Sequence, residues 1–460
     1  MRILLVMHEC NSPYNVLPYG IAYIASAIRN TGHSVIIFDM ATSHQTNDEL
    51  FSFIQSEKPF DFIGMGFQAA YFHIALKTAR TIKAACGNTP FVLGGSASSA
   101  SPDYIIKKFN ADYLLIGECE HSIKKFLEVI GGNAECNQVK GLYWRKHDEV
   151  FNTEKGVPPD DLDKLAFPAW DLFDMKSYVF PRRVPGVDHL VRALGLLTSR
   201  GCPYSCKFCF RLEKKYRTRS IENCMEEINF LIKKYKVNYF GIHDDLFMYS
   251  KKRTLLFCET ILQKNLIFNW SCNGRFNIAD REQLKMMKKA GCVLVSYGLE
   301  SGDQKILDEI DKKITVEQIL EISNITKEEG MLVSVPSMIG LPGENEESVN
   351  KTVNAIINST SWHDKRTLRP MQPYPGSYYF NYCVKNNLLK DEDDFFSRFF
   401  SSEKYTVNLT NIDDLDFDKV LYSANKKLLS QYYEQALKAD LQNFKKVYFE
   451  NDTRSFIPMR

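Results

Sequence analysis

At 460 residues the chain is too long for one ordinary domain; at roughly 150 residues per domain it has room for about three. Hydrophobic residues make up 44% and charged residues 25%, which excludes bulk disorder. With 58 Lys+Arg against 56 Asp+Glu the net charge is +2, so nothing draws the whole chain toward nucleic acid or an anionic membrane. The first residues, MRILLVMHECNSPY, lack the basic region and cleavage site of a signal peptide, and no apolar run approaches the length of a spanning helix. A cytoplasmic chain is expected, its 12 cysteines reduced rather than forming a disulfide framework.

Residues 1–135 alternate short apolar runs with helical patterns. The runs RILLVM (2–7), VIIFDM (35–40), FIGMGF (62–67), FVLGG (91–95) and YLLIGE (113–118) are apolar throughout, as strands buried on both faces must be. Ile21, Ile24, Ala25 and Ile28 recur at helical spacing before Gly32, and Ala75, Ala79, Ile82 and Cys86 before Gly87. The spacing predicts a doubly wound parallel sheet with its ligand site at the carboxyl ends of the strands. Residues 136–190, with the hairpin pattern GLYWRKHDEVF and the proline-punctuated VPPDDLDKLAFPAWDLF, read as a wrapping linker.

Over 191–380 the alternation resumes. Strands are predicted at 193–199, 239–245, 268–274, 293–300, 332–340 and 367–373. Asp280 with Gln283 and Thr315 with Gln318 open two of the intervening helices as capping boxes, and Gly291 and Gly330 close them. Six βα units predict a partial barrel with its chemistry at the carboxyl ends. The tail, 381–460, reads as helical and charged, with the aromatic DDFFSRFF (393–400) expected to plug the barrel rather than touch a membrane.

Directly after the first barrel strand, SRGCPYSCKFCFR sets Cys202, Cys206 and Cys209 in a C-x3-C-x2-C arrangement. Three thiolates on one loop suit three corners of an iron–sulfur cube and leave the fourth iron open. A structural zinc would want a fourth protein ligand, and the nearest, His243, belongs to another strand. This motif, with an aromatic before its last cysteine and a βα barrel behind it, resembles the radical S-adenosylmethionine (SAM) superfamily. The resemblance implies a [4Fe–4S] cluster whose open iron chelates SAM. It implies cleavage of SAM to methionine and a 5′-deoxyadenosyl radical, and an electron donor such as flavodoxin or ferredoxin. It also implies site residues. Asp244 and Asp245, in HDDLFM, match the position facing the SAM ammonium, and Arg275, in SCNGRF, that facing its carboxylate. Glu300 and Ser301, in YGLESG, match the ribose position; Ile339 and Gly340, in MIGLPGE, with the Phe208 backbone, match the adenine contacts.

Within that superfamily the opening LPYGIAYIASAIRNTGHSV, with GGSASSASPDYII and GECEHSI after the fourth and fifth strands, is similar to the cobalamin-binding class. The implied architecture is an α/β chain: an N-terminal Rossmann-like sheet, a partial (β/α)6 TIM-like barrel and a helical C-terminal region. Gly64, Gly66, Gly94, Gly95 and Gly117 would bring backbone close to a large flat ring, with Glu118 and Glu120 at its polar groups. Two departures stand out: the chain has no D-x-H-x-x-G motif to supply histidine to cobalt, and Ser96-Ala97-Ser98 stands where relatives often place a histidine. Cys272 is expected on the third barrel strand facing the mouth, as a small packing residue, and Cys224, Cys258, Cys292 and Cys383 in the core. Cys10 and Cys119 fall at strand ends, as in methylthiotransferases, but Cys86 belongs to a helix face and cannot complete that set. His8, just past the first strand, is expected either near a cofactor or on the surface.

The expected function is cobalamin-dependent C-methylation of a small molecule, without nucleic acid or membrane. The alternatives are a cobalamin-free radical dehydratase, cyclase or rearrangement enzyme, and a non-catalytic cluster-bearing sensor.

Overall fold

The computed structural model describes residues 1–10, 16–360 and 364–450. The last ten residues of the predicted helical tail lie outside that range. The strands β1 (Arg2–Met7), β2 (Ser34–Asp39), β3 (Phe62–Gly66), β4 (Phe91–Gly94) and β5 (Tyr113–Leu115) form a parallel sheet in the order 2-1-3-4-5. Each is apolar on both faces because helices cover both sides, and two clusters of buried residues fill the space between sheet and helices. The hairpin β6 (Leu142–Lys146) and β7 (Glu149–Asn152) was expected within a linker. It instead pairs antiparallel with β5 and carries the same sheet to seven strands.

From β8 (Pro181–Arg182) the chain enters a second sheet. Its parallel strands are β9 (Val191–Leu196), β12 (Tyr239–Ile242), β13 (Asn269–Gly274), β14 (Cys292–Tyr297) and β15 (Leu332–Ser334), in the order 15-14-13-12-9, with β8 antiparallel at the edge. A short parallel pair, β16 (Met338–Ile339) with β17 (Arg369–Pro370), stands beyond β15 where a sixth unit was expected. Between β9 and β12 a two-residue antiparallel ladder, β10 (Ser199–Arg200) with β11 (Arg217–Thr218), ties off the cysteine loop at its base. The whole is an open half-barrel following a doubly wound sheet, with a helical C-terminus.

Alternation along β13 decides which side chains see the barrel's inside. Asn269, Ser271 and Asn273 are half-buried, whereas Trp270 and Cys272 pack in the outer core with Cys258 and Cys292. Cys272 therefore faces the helix layer, not the mouth, because it shares the parity of Trp270. Val191, Ala193, Tyr239 and Val293, with Val184 and Val187, close the floor of the half-barrel. Thr315 and Gln318 form the reciprocal capping box read from sequence; Asp280 caps its helix by accepting from the Gln283 N–H alone. The aromatic run of the tail does not plug the barrel. Phe395, Phe396 and Phe399 join the core of the first sheet, where Phe396 stacks on Phe72 at 3.6 Å between centroids. The final helix, Asp414–Glu450, packs Phe417, Leu421, Ala424 and Leu428 into the barrel core. Among the described residues no helix is long and apolar enough to cross a membrane.

The connecting segment is locked to the half-barrel by a buried polar network. Trp170, from the connecting segment, donates its indole N–H to Glu227 at 3.2 Å, and Arg219 pairs with the same carboxylate while its guanidinium lies over Phe167 at 5.2 Å. Glu227 and Arg219 retain only 1% and 5% of their side-chain surface, so neither charge is solvated without the other. Replacing Arg219 with Ala strands a buried carboxylate. The expected loss is about 3–5 kcal/mol of stability, read from the urea midpoint, with Arg219→Ala/Glu227→Gln recovering part of it.

Candidate active site

The cysteine loop leaves β10 at the carboxyl end of the first barrel strand and turns on Gly201, whose φ of +83° and crowded Cβ position exclude a side chain. Cys206 is buried, Cys202 half-buried and Cys209 exposed. Desolvation pushes Cys202 up, helped by the charges of Asp245 and Cys206; desolvation with Cys206, Asp245 and Cys202 pushes Cys209 up to about 11. Cys202 and Cys209 thus lie close enough to Cys206 for a thiolate there to disfavour their ionisation, a penalty that a bound cation reverses. Among the described residues no group of three or more His, Cys, Asp or Glu side chains could hold a metal ion in common. A cube asks something else of them, since each thiolate would bind a different iron.

Around this loop the strand ends contribute in unequal ways. Asp244 is fully buried and spent: its carboxylate accepts from the Thr198 N–H at 2.6 Å and from the Thr198 and Ser199 hydroxyls at 2.5 and 2.6 Å. Asp245 is exposed, yet partial desolvation of its carboxyl by the surrounding loops, then the charge of Asp244, raises its pKa. Among the described residues no lysine or arginine pairs with it, so Asp245 and not Asp244 is open to a cation. Arg275 lies with its guanidinium over the Tyr204 ring at 3.7 Å and donates through Nη1 toward the Cys206 sulfur at 3.7 Å. Its Nη2 is buried and unpartnered, the state of a donor awaiting an acceptor. An orphaned donor beside the loop and an unpaired carboxylate across from it fit the carboxylate and ammonium of SAM.

The remaining expected contacts divide. Ser301 is fully buried, and its hydroxyl bonds to Thr352 and the Asp303 N–H, so it faces the helix layer rather than a ribose. Glu300 stands at the mouth with φ +64°, ion-paired to Lys312. Ile339 is buried with its carbonyl accepting from the Met371 N–H, and Gly340 takes φ +98° with its N–H on Glu344. Burial raises Glu344 to about 7 while it holds the Gly340 and Leu341 N–H groups. Phe208 is half-buried, its ring under the Lys312 ammonium. Inside the half-barrel Asn273, Ser296 and Ser334 share one register row, and His243, whose pKa is lowered chiefly by desolvation, lies against Gly241.

Facing this mouth is the carboxyl edge of the first sheet. Gly66 and Gly94 are register partners at two strand ends, and a Cβ on Gly94 would meet nothing nearer than the Leu115 carbonyl at 3.9 Å. Gly95, at φ +91°, backs onto the Phe67 main chain. This side-chain-free ledge fits a flat ring. Two residues read as part of it belong elsewhere. Gly64 lies inside β3, opposite Leu5 and Val92, and the space over it is filled by the Leu5 side chain. Glu118 is tied to Arg200 and Arg217 and has no carboxylate oxygen to spare for a ligand. Gly117, at φ +80°, closes on Lys155 and Glu213, where the first domain meets the cysteine loop. His8 is neither on the surface nor free; it is buried at the end of β1, against the Tyr71 ring.

Residues 196–356 match the radical SAM superfamily, and residues 10–127 match the B12 binding domain. An uncharacterized methyltransferase of Pyrococcus horikoshii is 28% identical over 399 residues, covering 85% of this chain and 84% of that one. An anaerobic magnesium-protoporphyrin IX monomethyl ester cyclase of Rubrivivax gelatinosus is 26% identical, over 76% of this chain and 65% of its own length. The fold is that of the radical SAM methyltransferase TsrM from Kitasatospora setae, solved with cobalamin and a [4Fe–4S] cluster, at TM-score 0.70 and 17% identity over 84% of this chain and 75% of that one. It is also that of the cobalamin-dependent radical enzyme OxsB, solved with aqua-cobalamin and SAM, at TM-score 0.66 and 18% identity over 84% and 55%. The chain thus combines a B12-binding domain with a radical SAM domain.

Sequence reasoning missed Arg200, Arg217, Tyr204 and Lys312. Arg200 and Arg217 flank the cysteines at the two strands of one ladder, a symmetry visible in sequence only once the loop is known to close. In Glu118, burial pushes the carboxyl up, but the Arg217 hydrogen bonds and both guanidinium charges leave it below the usual carboxylate range. Glu118→Gln removes that charge from between two arginines and loosens the loop. The expected outcome is a several-fold faster tryptic cut after the exposed Lys214 and Lys215, followed by mass spectrometry, with the wild-type rate restored by neither salt nor neighbouring surface mutations.

Proposed function

We propose that the chain methylates a carbon of a small molecule, using a [4Fe–4S] cluster held by Cys202, Cys206 and Cys209, SAM, and cobalamin on the glycine ledge of the first sheet. The observation that carries this reading is the direct contact between the carboxyl edge of the first sheet and the cysteine loop. The ledge of Gly66, Gly94 and Gly95 and the cysteine loop are joined at Gly117, where Lys155 pairs with Glu213 at 2.7 Å and donates to the Leu212 carbonyl at 3.0 Å. When bound, the cluster with SAM supplies a radical able to attack an unactivated C–H bond, and cobalamin supplies the methyl carrier.

The chain's own residues hold and exclude. Arg275 offers its free Nη2 to the SAM carboxylate and Asp245 its carboxylate to the ammonium, a charge-assisted pair of contacts on opposite sides of the same group. Asp244 acts one step back, fixing Thr198 and Ser199 and so the start of the cysteine loop. Asn273, Ser296 and His243 face the interior with hydrogen-bonding groups suited to a polar substrate. The apolar floor of Val191, Ala193 and Tyr239 closes the far end to water. We further place the chain in the cytoplasm, where its unpaired thiols stay reduced and a flavodoxin- or ferredoxin-type donor is at hand. A second reading, a radical cyclase, is favoured by the cyclase relatives; it differs in what it asks of the ledge.

Anaerobic purification with cobalamin supplied separates the two. About four irons and one cobalt per chain are expected, and Cys206→Ala should lose the iron and all release of 5′-deoxyadenosine. A full iron complement with no cobalt under saturating cobalamin overturns the methylase reading. Gly94→Val supplies a sharper check. Its side chain enters open space, so the fold and the iron content hold while bound cobalt falls at least tenfold, measured by elemental analysis against circular dichroism.

A further inference from the structure

The final helix has two apolar sides, and the barrel covers only one of them. Phe417, Leu421, Ala424 and Leu428 turn into the barrel core, and beyond Leu428 no described residue of the helix is buried. The helix nevertheless runs on to Glu450 with large apolar side chains on its outward side. Tyr422 is 70% exposed, Tyr433 55%, Leu437 59% and Leu441 58%. A helix end that packs on nothing has intrinsic propensity alone to hold it, and an apolar stripe left in water marks a contact surface.

The order of residues along the stripe shows what fits it. At about 100° per residue, an arc of about 80° turned away from the barrel holds a set of positions symmetric about Tyr433. Leu429 and Leu437 stand four residues to either side, Lys426 and Asp440 seven, and Tyr422 and Phe444 eleven. Two copies of the helix laid antiparallel, with Tyr433 on Tyr433, therefore bring leucine to leucine, aromatic to aromatic and lysine to aspartate. Lys426 and Asp440 are exposed, and among the described residues neither has an ion-pair partner. Parallel pairing would set lysine on lysine and aspartate on aspartate, so the charges select the antiparallel arrangement. Lys365 donates to the Tyr433 hydroxyl at 2.9 Å, which steadies the ring at the centre of symmetry. The stripe from Tyr422 to Phe444 spans about 33 Å, and each contact off a two-fold axis is made twice.

We infer that this face docks a second copy of the chain, the two final helices lying antiparallel about Tyr433. The dimer needs no cofactor, so it stands or falls separately from the proposed function. Only the outward side of the helix takes part, and the packing of Phe417 and Leu421 against the barrel is untouched.

The test uses the full chain under reducing conditions, its mass followed by sedimentation velocity over about 1–100 µM. The wild-type chain is expected to reach twice the chain mass at the upper end. Leu437→Glu, which sets a carboxylate against a leucine, should weaken the dimer by about tenfold or more. Lys426→Asp and Asp440→Lys each bring like charges together at two places and should weaken it by about as much. The decisive sample is an equimolar mixture of these two variants. In it the introduced aspartate meets the introduced lysine, and the native pair survives on the opposite side, so the variants should pair one to one. Circular dichroism melts near the wild-type temperature check that these exposed substitutions leave the fold intact. A wild-type chain that stays monomeric throughout overturns the proposal, and sedimentation of that monomer with phosphatidylglycerol vesicles assigns the stripe to a lipid surface instead. A dimer that Leu437→Glu leaves within twofold of wild type, or a mixture that does not pair, overturns it as well.

Discussion

Two arginines at the base of the cysteine loop spend their charge on one glutamate of the other domain, and the geometry of the site depends on that arrangement. Arg200 and Arg217 are cross-strand partners in a ladder two residues long, too short to be stable in isolation. Glu118 reaches between them from the end of β5, and Arg200 also meets Glu120 at 2.7 Å and the Tyr23 ring at 4.7 Å. A loop bearing three closely spaced thiols is thus anchored by charge at the point where its backbone pairing is weakest. The anchoring groups follow β5, the strand paired with the one that ends in the glycine ledge, so one set of contacts fixes both the loop and its place against the first sheet.

The same economy runs through the barrel mouth. Adjacent residues at strand ends point opposite ways, and one of each pair builds the frame while the other stays open. Asp244 binds Thr198 and Ser199, and Asp245 faces the chamber. Ser301 bonds into the helix layer, and Glu300 stands at the opening. Asn273 looks inward and donates to the Asp244 carbonyl at 3.0 Å, while Cys272 packs outward with Cys292. The inward set stays polar and open, while the outward set is either hydrogen-bonded into the frame, as Asp244 and Ser301 are, or packed against helices, as Cys272 is.

This parity marks the boundary of what the amino-acid order reveals. The parallel strands of both sheets were legible because strands buried on both faces carry unbroken apolar runs, and helix limits because Thr315, Asp280, Gly291 and Gly330 punctuate them. The cysteine triplet was legible because its spacing is local. The allegiance of the β6–β7 hairpin was not: a half-exposed antiparallel pair looks alike whether it stands alone or extends a sheet. Nor does sequence separate Asp244 from Asp245, or Gly64 from Gly66, since a shift of one or two positions along a strand exchanges frame for site without altering composition. Lys312 was invisible for another reason. It lies in a turn among other charged residues, and only the fold shows that it is the buried one.

Tyr19 opens the first helix after β1, yet its hydroxyl occupies the place of a side chain on Gly195 of β9, and its ring meets His243 edge-on at 5.8 Å. The inner wall of the half-barrel is therefore completed by a residue that the barrel segment does not encode. Grafting residues 191–380 onto another partner domain would leave a notch in that wall, and exchanging the first domain between relatives would recut the chamber even with every barrel residue unchanged. The unit of inheritance for this site is the pair of domains, not either one.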